Sequence, residues 1–177
     1  LQAAAAKLTG VDPATAEFEQ LVSLRILADH ARSTSLLVSD GVFPSNEARG
    51  YVLRRILRRA VRHAYILGVE SAVMGGMVDA VIEIMGTDHP DLAANHQFVR
   101  EAIDREEVRF RETLRKGQSI LDEQLDALVD GAALPGDVAF LLHDTYGFPL
   151  EVTQEITGER GVEVDEDGFR AAMAEQQ

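Results

Sequence analysis

An all-α fold, a multi-helix bundle with one long central helix, is predicted by three features of this 177-residue sequence. Apolar residues recur at helical spacing over most of the chain. Turn chemistry rich in Gly, Pro and Asp separates those segments. No strand longer than a few residues is expected, and the one extended candidate is Val162 to Val164.

The elements follow in order. Leu1 to Leu8 is alanine-rich and helix-favouring, and the turn residues Gly10 to Pro13 end it. From about Glu17 to Ser39, Leu24, Leu27, Ala28, Ala31, Ser35 and Val38 mark one face of an amphipathic helix that Asp40-Gly41 stops. A short loop then leads into a helix reaching about Leu67, with Ser45 or Asn46 placed to cap it and Glu47 complementing its dipole. Another helix, about Ser71 to Met85, is apolar on most sides and so predicted to be buried.

Pro90 suits the first turn of a long helix running to about Val129. In it Val99, Ile103, Phe110, Leu114, Leu121 and Leu125 alternate steps of four and seven, an 11-residue repeat that keeps one apolar stripe on a nearly straight rod. Three short helices complete the chain: Asp137 to Tyr146, Pro149 to about Thr157, and Asp165 onward. The expected organisation is a connector over 1–16, a helical subdomain over 17–130 and a second small helical subdomain over 131–177. Because the chain starts at Leu1 and stops inside a running helix, it reads as a piece of a longer protein.

No apolar run approaches the roughly 18 residues of a membrane span, so a soluble, cytoplasmic protein with no membrane partner is expected. With no cysteine there is neither a disulfide nor a thiolate metal site. The net charge of −13 argues against indiscriminate nucleic-acid binding, which rests on Lys and Arg displacing counterions. The average hides an asymmetry: Arg49, Arg54, Arg55, Arg58, Arg59 and Arg62 crowd into 14 positions, and no acid lies between Ala48 and Val69.

On a helical projection Val52, Leu53, Ile56, Leu57, Ala60, Ala64 and Leu67 share one arc, and Arg54, Arg55, Arg58, Arg59 and Arg62 fill the other. Arg54, Arg58 and Arg62 are successive i,i+4 neighbours, and like charges so spaced destabilise a helix by a few tenths of a kcal/mol each. Something anionic must offset this. Carboxylates of the same chain are one candidate, and the phosphates of a nucleic acid, which suit the forked donors of arginine, are the other.

Two polar residues stand out. Asp144, in the last turn of its helix, opposes the macrodipole at about 0.3 to 1 kcal/mol and so needs a partner or a task, an internal arginine being the plainest partner. Asn46 has a donor and an acceptor in the loop that opens onto the arginine helix, where a simple N-cap would also account for it. His30, His63, His89, His96 and His143 show no metal-ligand spacing and are read as structural or surface residues. There is no nucleophile with a base at hand and no P-loop, so no catalytic residue is predicted.

The run from Asp40 to Arg55, DGVFPSNEARGYVLRR, continued by Arg58-Arg59-Ala60-Val61-Arg62-His63, closely resembles a signature of alanyl-tRNA synthetases, as does Leu142 to Pro149, LHDTYGFP. Val164-Asp165 and Gly168-Phe169 follow in the order that family has. The resemblance covers about Leu24 to the C-terminus and departs at Ala48, where many relatives carry glycine or a small polar residue.

It implies the helical domain that follows the class II catalytic domain, precedes the editing domain, and recognises the acceptor stem of alanine tRNA by a G·U wobble at its third pair. Asn46 and Asp144 match the residues implicated in reading that pair. Arg54, Arg55, Arg58, Arg59 and Arg62 would hold phosphate and backbone. For the parent it implies alanine–tRNA ligase activity with ATP and Mg, and Zn in the editing domain. This segment would hold no cofactor and would be inactive alone, since the class II sequence motifs and the zinc ligands are missing from it. The rival expectation is a helical protein-interaction module whose arginine face meets an acidic partner.

Overall fold

The computed structural model describes residues 1–177. Its helices are α1 (Gln2–Thr9), α2 (Phe18–Ser39), α3 (Ala48–Ile66), α4 (Met74–Met85), α5 (Pro90–Ala94), α6 (His96–Ala127), α7 (Gly136–Asp144), α8 (Leu150–Glu159) and α9 (Glu166–Glu175). They form two compact units, Leu1–Arg109 and Phe110–Gln177, that divide within α6. Loop chemistry alone points to a division at 130/131. The cut falls earlier because the second half of α6 supplies Phe110, Leu114, Leu121 and Leu125 to the second core.

In the first unit α2 is the hub, packing against α1, α3, α4 and α5. Its start is fixed by a capping box: the Glu17 side chain accepts from the backbone of Gln20, and the Gln20 side chain accepts from the Glu17 backbone N–H at 2.9 Å. Its end is fixed by Gly41, whose φ of 91° a side chain would strain. Leu24, Leu27, Ala31 and Val38 of α2 are buried with Leu53, Leu57, Ala60 and Ala64 of α3. The small residues on both helices permit close approach of the backbones. Ala5 and Ala6 of α1 are buried too, so the opening helix packs into this core.

Helix α4 is buried along Met74, Met77, Val78 and Val81, as its apolar sequence predicts. Its first turn is capped from α6: the fully buried Glu107 carboxylate accepts from the backbone N–H of Val73 and Met74, at 3.0 and 2.7 Å through Oε1. A carboxylate at a helix N-terminus satisfies orphan donors and complements the dipole.

The helix predicted from Pro90 to Val129 is two helices, parted by Asn95 alone. Asn95 leaves helical geometry, with φ −93° and ψ 13°, and its side-chain amide donates to the Ser39 hydroxyl at 3.4 Å. Asn favours such departures because its side chain offers competing hydrogen bonds.

The second unit packs α7 against α8 and α9 beside the second half of α6. Phe148, fully buried, meets Phe110 edge-on with centroids 5.5 Å apart. The extended piece expected at Val162 to Val164 is real but minimal: Leu134 and Val164 form one parallel bridge, with the Leu134 N–H donating to the Glu163 carbonyl at 2.8 Å. Asp165 then caps α9 by accepting from the Gly168 N–H at 3.0 Å.

Candidate nucleic-acid interface

The loop before α3 is tightly wound by its own polar groups. The Ser45 hydroxyl donates to the Glu47 carbonyl at 2.9 Å, and the Ser45 N–H donates to the Gly50 carbonyl at 3.2 Å. Neither Ser45 nor Asn46 caps the helix by its side chain, contrary to the sequence reading; Glu47 occupies the cap position without a side-chain bond. Ala48 has a φ of 50°, the only non-glycine with a positive φ, which costs an L-residue about 1 to 3 kcal/mol. That conformation gives a reason for a glycine to be accepted at this position.

Gly50 is what lets the loop fold back. A Cβ there would run into the Ser45 hydroxyl and the Phe43 carbonyl, one of them backbone that cannot yield cheaply. Gly50→Ala is therefore expected to displace residues 43–46 while leaving the α2–α3 core closed. Hydrogen exchange should show faster exchange of the Ser45 amide, which is bonded to Gly50, with protection of α2 unchanged.

Asn46 is exposed at the tip of this loop. Its Oδ1 accepts from Nη1 of Arg54 at 2.5 Å. Arg54 in turn donates from Nε to Oε1 of Glu106 at 2.8 Å, and the same oxygen accepts from Nε of Arg58 at 2.9 Å. Glu106 lies on α6, is buried, and bridges two of the arginines whose mutual repulsion the sequence exposed, leaving the trio with one net positive charge. For Arg54 and Arg58 the anion is thus a carboxylate of the same chain. Burial pushes the Arg58 guanidinium below its ordinary value, and Glu106 works against that shift.

The arginine face is less open than the projection suggested. Arg58 and Arg62 are 7% and 3% exposed, whereas Val52, placed on the apolar arc, is 41% exposed. Against α2 and α6 the helix turns partly onto its basic side, because Glu106 and the polar groups of α2 sit there. Nη1 of Arg59 donates to Nε2 of His30 at 3.1 Å, so that ring nitrogen is an acceptor. Burial, then Arg59, hold His30 below its ordinary pKa, with Asp29 opposing. His63 is buried with Nδ1 2.9 Å from the Ser23 hydroxyl. Arg55 is half-buried and Arg49 exposed.

Asp144 closes α7 and is exposed, in the second unit. Its Oδ1 accepts from Nε2 of Gln176 at 3.1 Å. The partner is a neutral amide, where the sequence suggested an arginine. The turn that follows is pinned from inside, since the Thr113 hydroxyl donates to the Tyr146 carbonyl at 2.6 Å and the Phe148 N–H to the Leu142 carbonyl at 2.9 Å. Asp144 therefore sits on a fixed corner.

A family model described as tRNA synthetases class II (A) matches residues 1–177. The chain belongs to the class II (A) tRNA synthetases. Among curated relatives of this family it is 53% identical over 152 residues to an alanine–tRNA ligase of Cereibacter sphaeroides (strain ATCC 17025 / ATH 2.4.3), covering 86% of the chain and 17% of the relative. It is 51% identical over 173 residues to that of Ruegeria pomeroyi, covering 98% and 19%, and 52% identical over 155 residues to that of Parvibaculum lavamentivorans, covering 88% and 17%. The chain thus spans less than a fifth of the length of these synthetases. No helix in it is long and apolar enough to cross a membrane.

Sequence reasoning missed Glu106 and Gln176. Glu106 lies 52 positions from Arg54 on a helix full of carboxylates, and only the packing of α6 beside α3 selects it. The adjacent pair Glu106-Glu107, set in the apolar stripe between Ile103 and Phe110, was the available signal.

Proposed function

We propose that the chain recognises the acceptor stem of alanine tRNA within a synthetase that attaches alanine to tRNA with ATP. The observation that carries this reading is the exposure of Asn46 and Asp144 on rigid corners, in the two strings that resemble the alanyl-tRNA synthetase signature. A wobble guanine has an amino group left unpaired, and Asp144 can accept from it in the shallow minor groove of A-form RNA. Phosphates held along the arginine helix would set register without carrying sequence information.

Arg49 is the arginine of this helix best placed for phosphate by exposure; Arg54, Arg55 and Arg59 are half-buried, with Arg54 engaged by Glu106, and Arg58 and Arg62 are buried. No three His, Asp or Glu side chains converge here as a metal-binding set.

Binding of acceptor-stem duplexes by the intact synthetase, followed across salt concentrations, tests the proposal. If Arg49→Ala or Arg55→Ala removes one neutralised phosphate, the log–log salt slope should shrink by about 0.7 to 0.9, with matched and mismatched stems weakened alike. A slope that stays constant in both variants would remove the arginine helix from the RNA interface.

A further inference from the structure

The relay that ends at Asn46 begins at a buried carboxylate. Oε1 of Glu106 receives Nε of Arg54 at 2.8 Å and both Nε and Nη2 of Arg58, at 2.9 and 2.8 Å. A guanidinium is planar, so fixing Nε of Arg54 against a nearly immobile carboxylate fixes the direction in which its Nη1 points. That direction is Oδ1 of Asn46, 2.5 Å away.

Arginine only donates. The amide atom facing it must be the oxygen, because the flipped amide would set donor against donor. The Asn46 oxygen is therefore turned to Arg54 with one of its two lone pairs engaged, and its NH2 group is the edge turned away from Arg54.

We propose that Glu106 is a positioning residue for base-pair reading: acting through Arg54, it locks Asn46 as a hydrogen-bond donor. Asn46 would then read an acceptor on the pair, a uracil carbonyl or an acceptor edge of guanine, and not the guanine amino group. Asp144, which only accepts when ionised, reads the opposite polarity. The inference rests on the reading that Asn46 touches the base pair.

The test compares kcat/KM of the intact synthetase on acceptor-stem minihelices carrying the wobble pair or a Watson–Crick pair, for Asn46→Ala, Glu106→Gln, Arg54→Lys and the double variant Asn46→Ala/Glu106→Gln. Arg54→Lys keeps a charge for Glu106 and removes the fork that reaches Asn46. Glu106→Gln and Arg54→Lys should each lower the wobble preference about fivefold or more, the low end of a good base contact. On the Asn46→Ala background, Glu106→Gln should add less than about twofold, the signature of residues acting through one another.

Loss of preference in Asn46→Ala with the wild-type ratio kept in both other variants would overturn the positioning role alone. An unchanged ratio in Asn46→Ala would instead overturn the base-reading role of Asn46 on which it rests. Equal loss of charging on both minihelices in Glu106→Gln and Arg54→Lys would make the relay merely structural and also overturn the proposal. Should Glu106→Gln prove too unstable to assay, Arg54→Lys decides the matter.

Discussion

Phe148→Ala is expected to destabilise the second unit by about 3 to 5 kcal/mol, the cost of emptying a buried aromatic site. The ring has no exposed surface and lies edge-on to Phe110. It also occupies the space that a glycine leaves free: a Cβ on Gly117 would lie 2.5 Å from its Cε1. Small domains hold only about 5 to 15 kcal/mol in total, so this one truncation takes a large share. The backbone of Phe148 also anchors the turn after Asp144, through its N–H to the Leu142 carbonyl. Denaturant-dependent hydrogen exchange in α7 and α8 measures the change. A drop in stability under about 1 kcal/mol would mean that the Phe110–Phe148 pair is not the centre of this core.

The parts of the fold set by local chemistry are readable from sequence. Asp40-Gly41 stops α2 where turn chemistry says it should, and the stripe from Val99 to Leu125 is buried along its whole length. What required the structure was the outcome of competition between elements. The break at Asn95 turns on a bond to Ser39 from another helix. Whether the arginines of α3 face solvent or carboxylate turns on where α6 lays Glu106, and no projection of α3 alone contains that information. Asn46 and Asp144 stand out by local position and by resemblance. Their protein partners, Arg54 and Gln176, come from eight and 32 residues away. Only the first of these separations is within reach of a helical-spacing argument.

Asp144 carries the second large effect. A carboxylate closing a helix sits against the negative end of the macrodipole, and a neutral glutamine amide is its hydrogen-bond partner. The dipole cost of about 0.3 to 1 kcal/mol and the single exposed hydrogen bond from Gln176 are of similar size and opposite sign. Asp144→Ala should therefore leave folding intact, or stabilise α7 by up to about 1 kcal/mol, while removing roughly 1 to 3 kcal/mol of preference for the wobble pair. A stabilising or neutral substitution that abolishes discrimination is difficult to produce by structural damage, which makes this residue more informative than Asn46.

Aminoacylation of two minihelices by the intact Asp144→Ala synthetase, one with the G·U pair at the third position of the stem and one with a Watson–Crick pair there, tests the recognition role most directly. The predicted result is that kcat/KM for the wobble minihelix falls about fivefold to a hundredfold relative to the other, the scale of one base contact, with melting behaviour unchanged. A fall by the same factor on both minihelices would contradict base reading by Asp144.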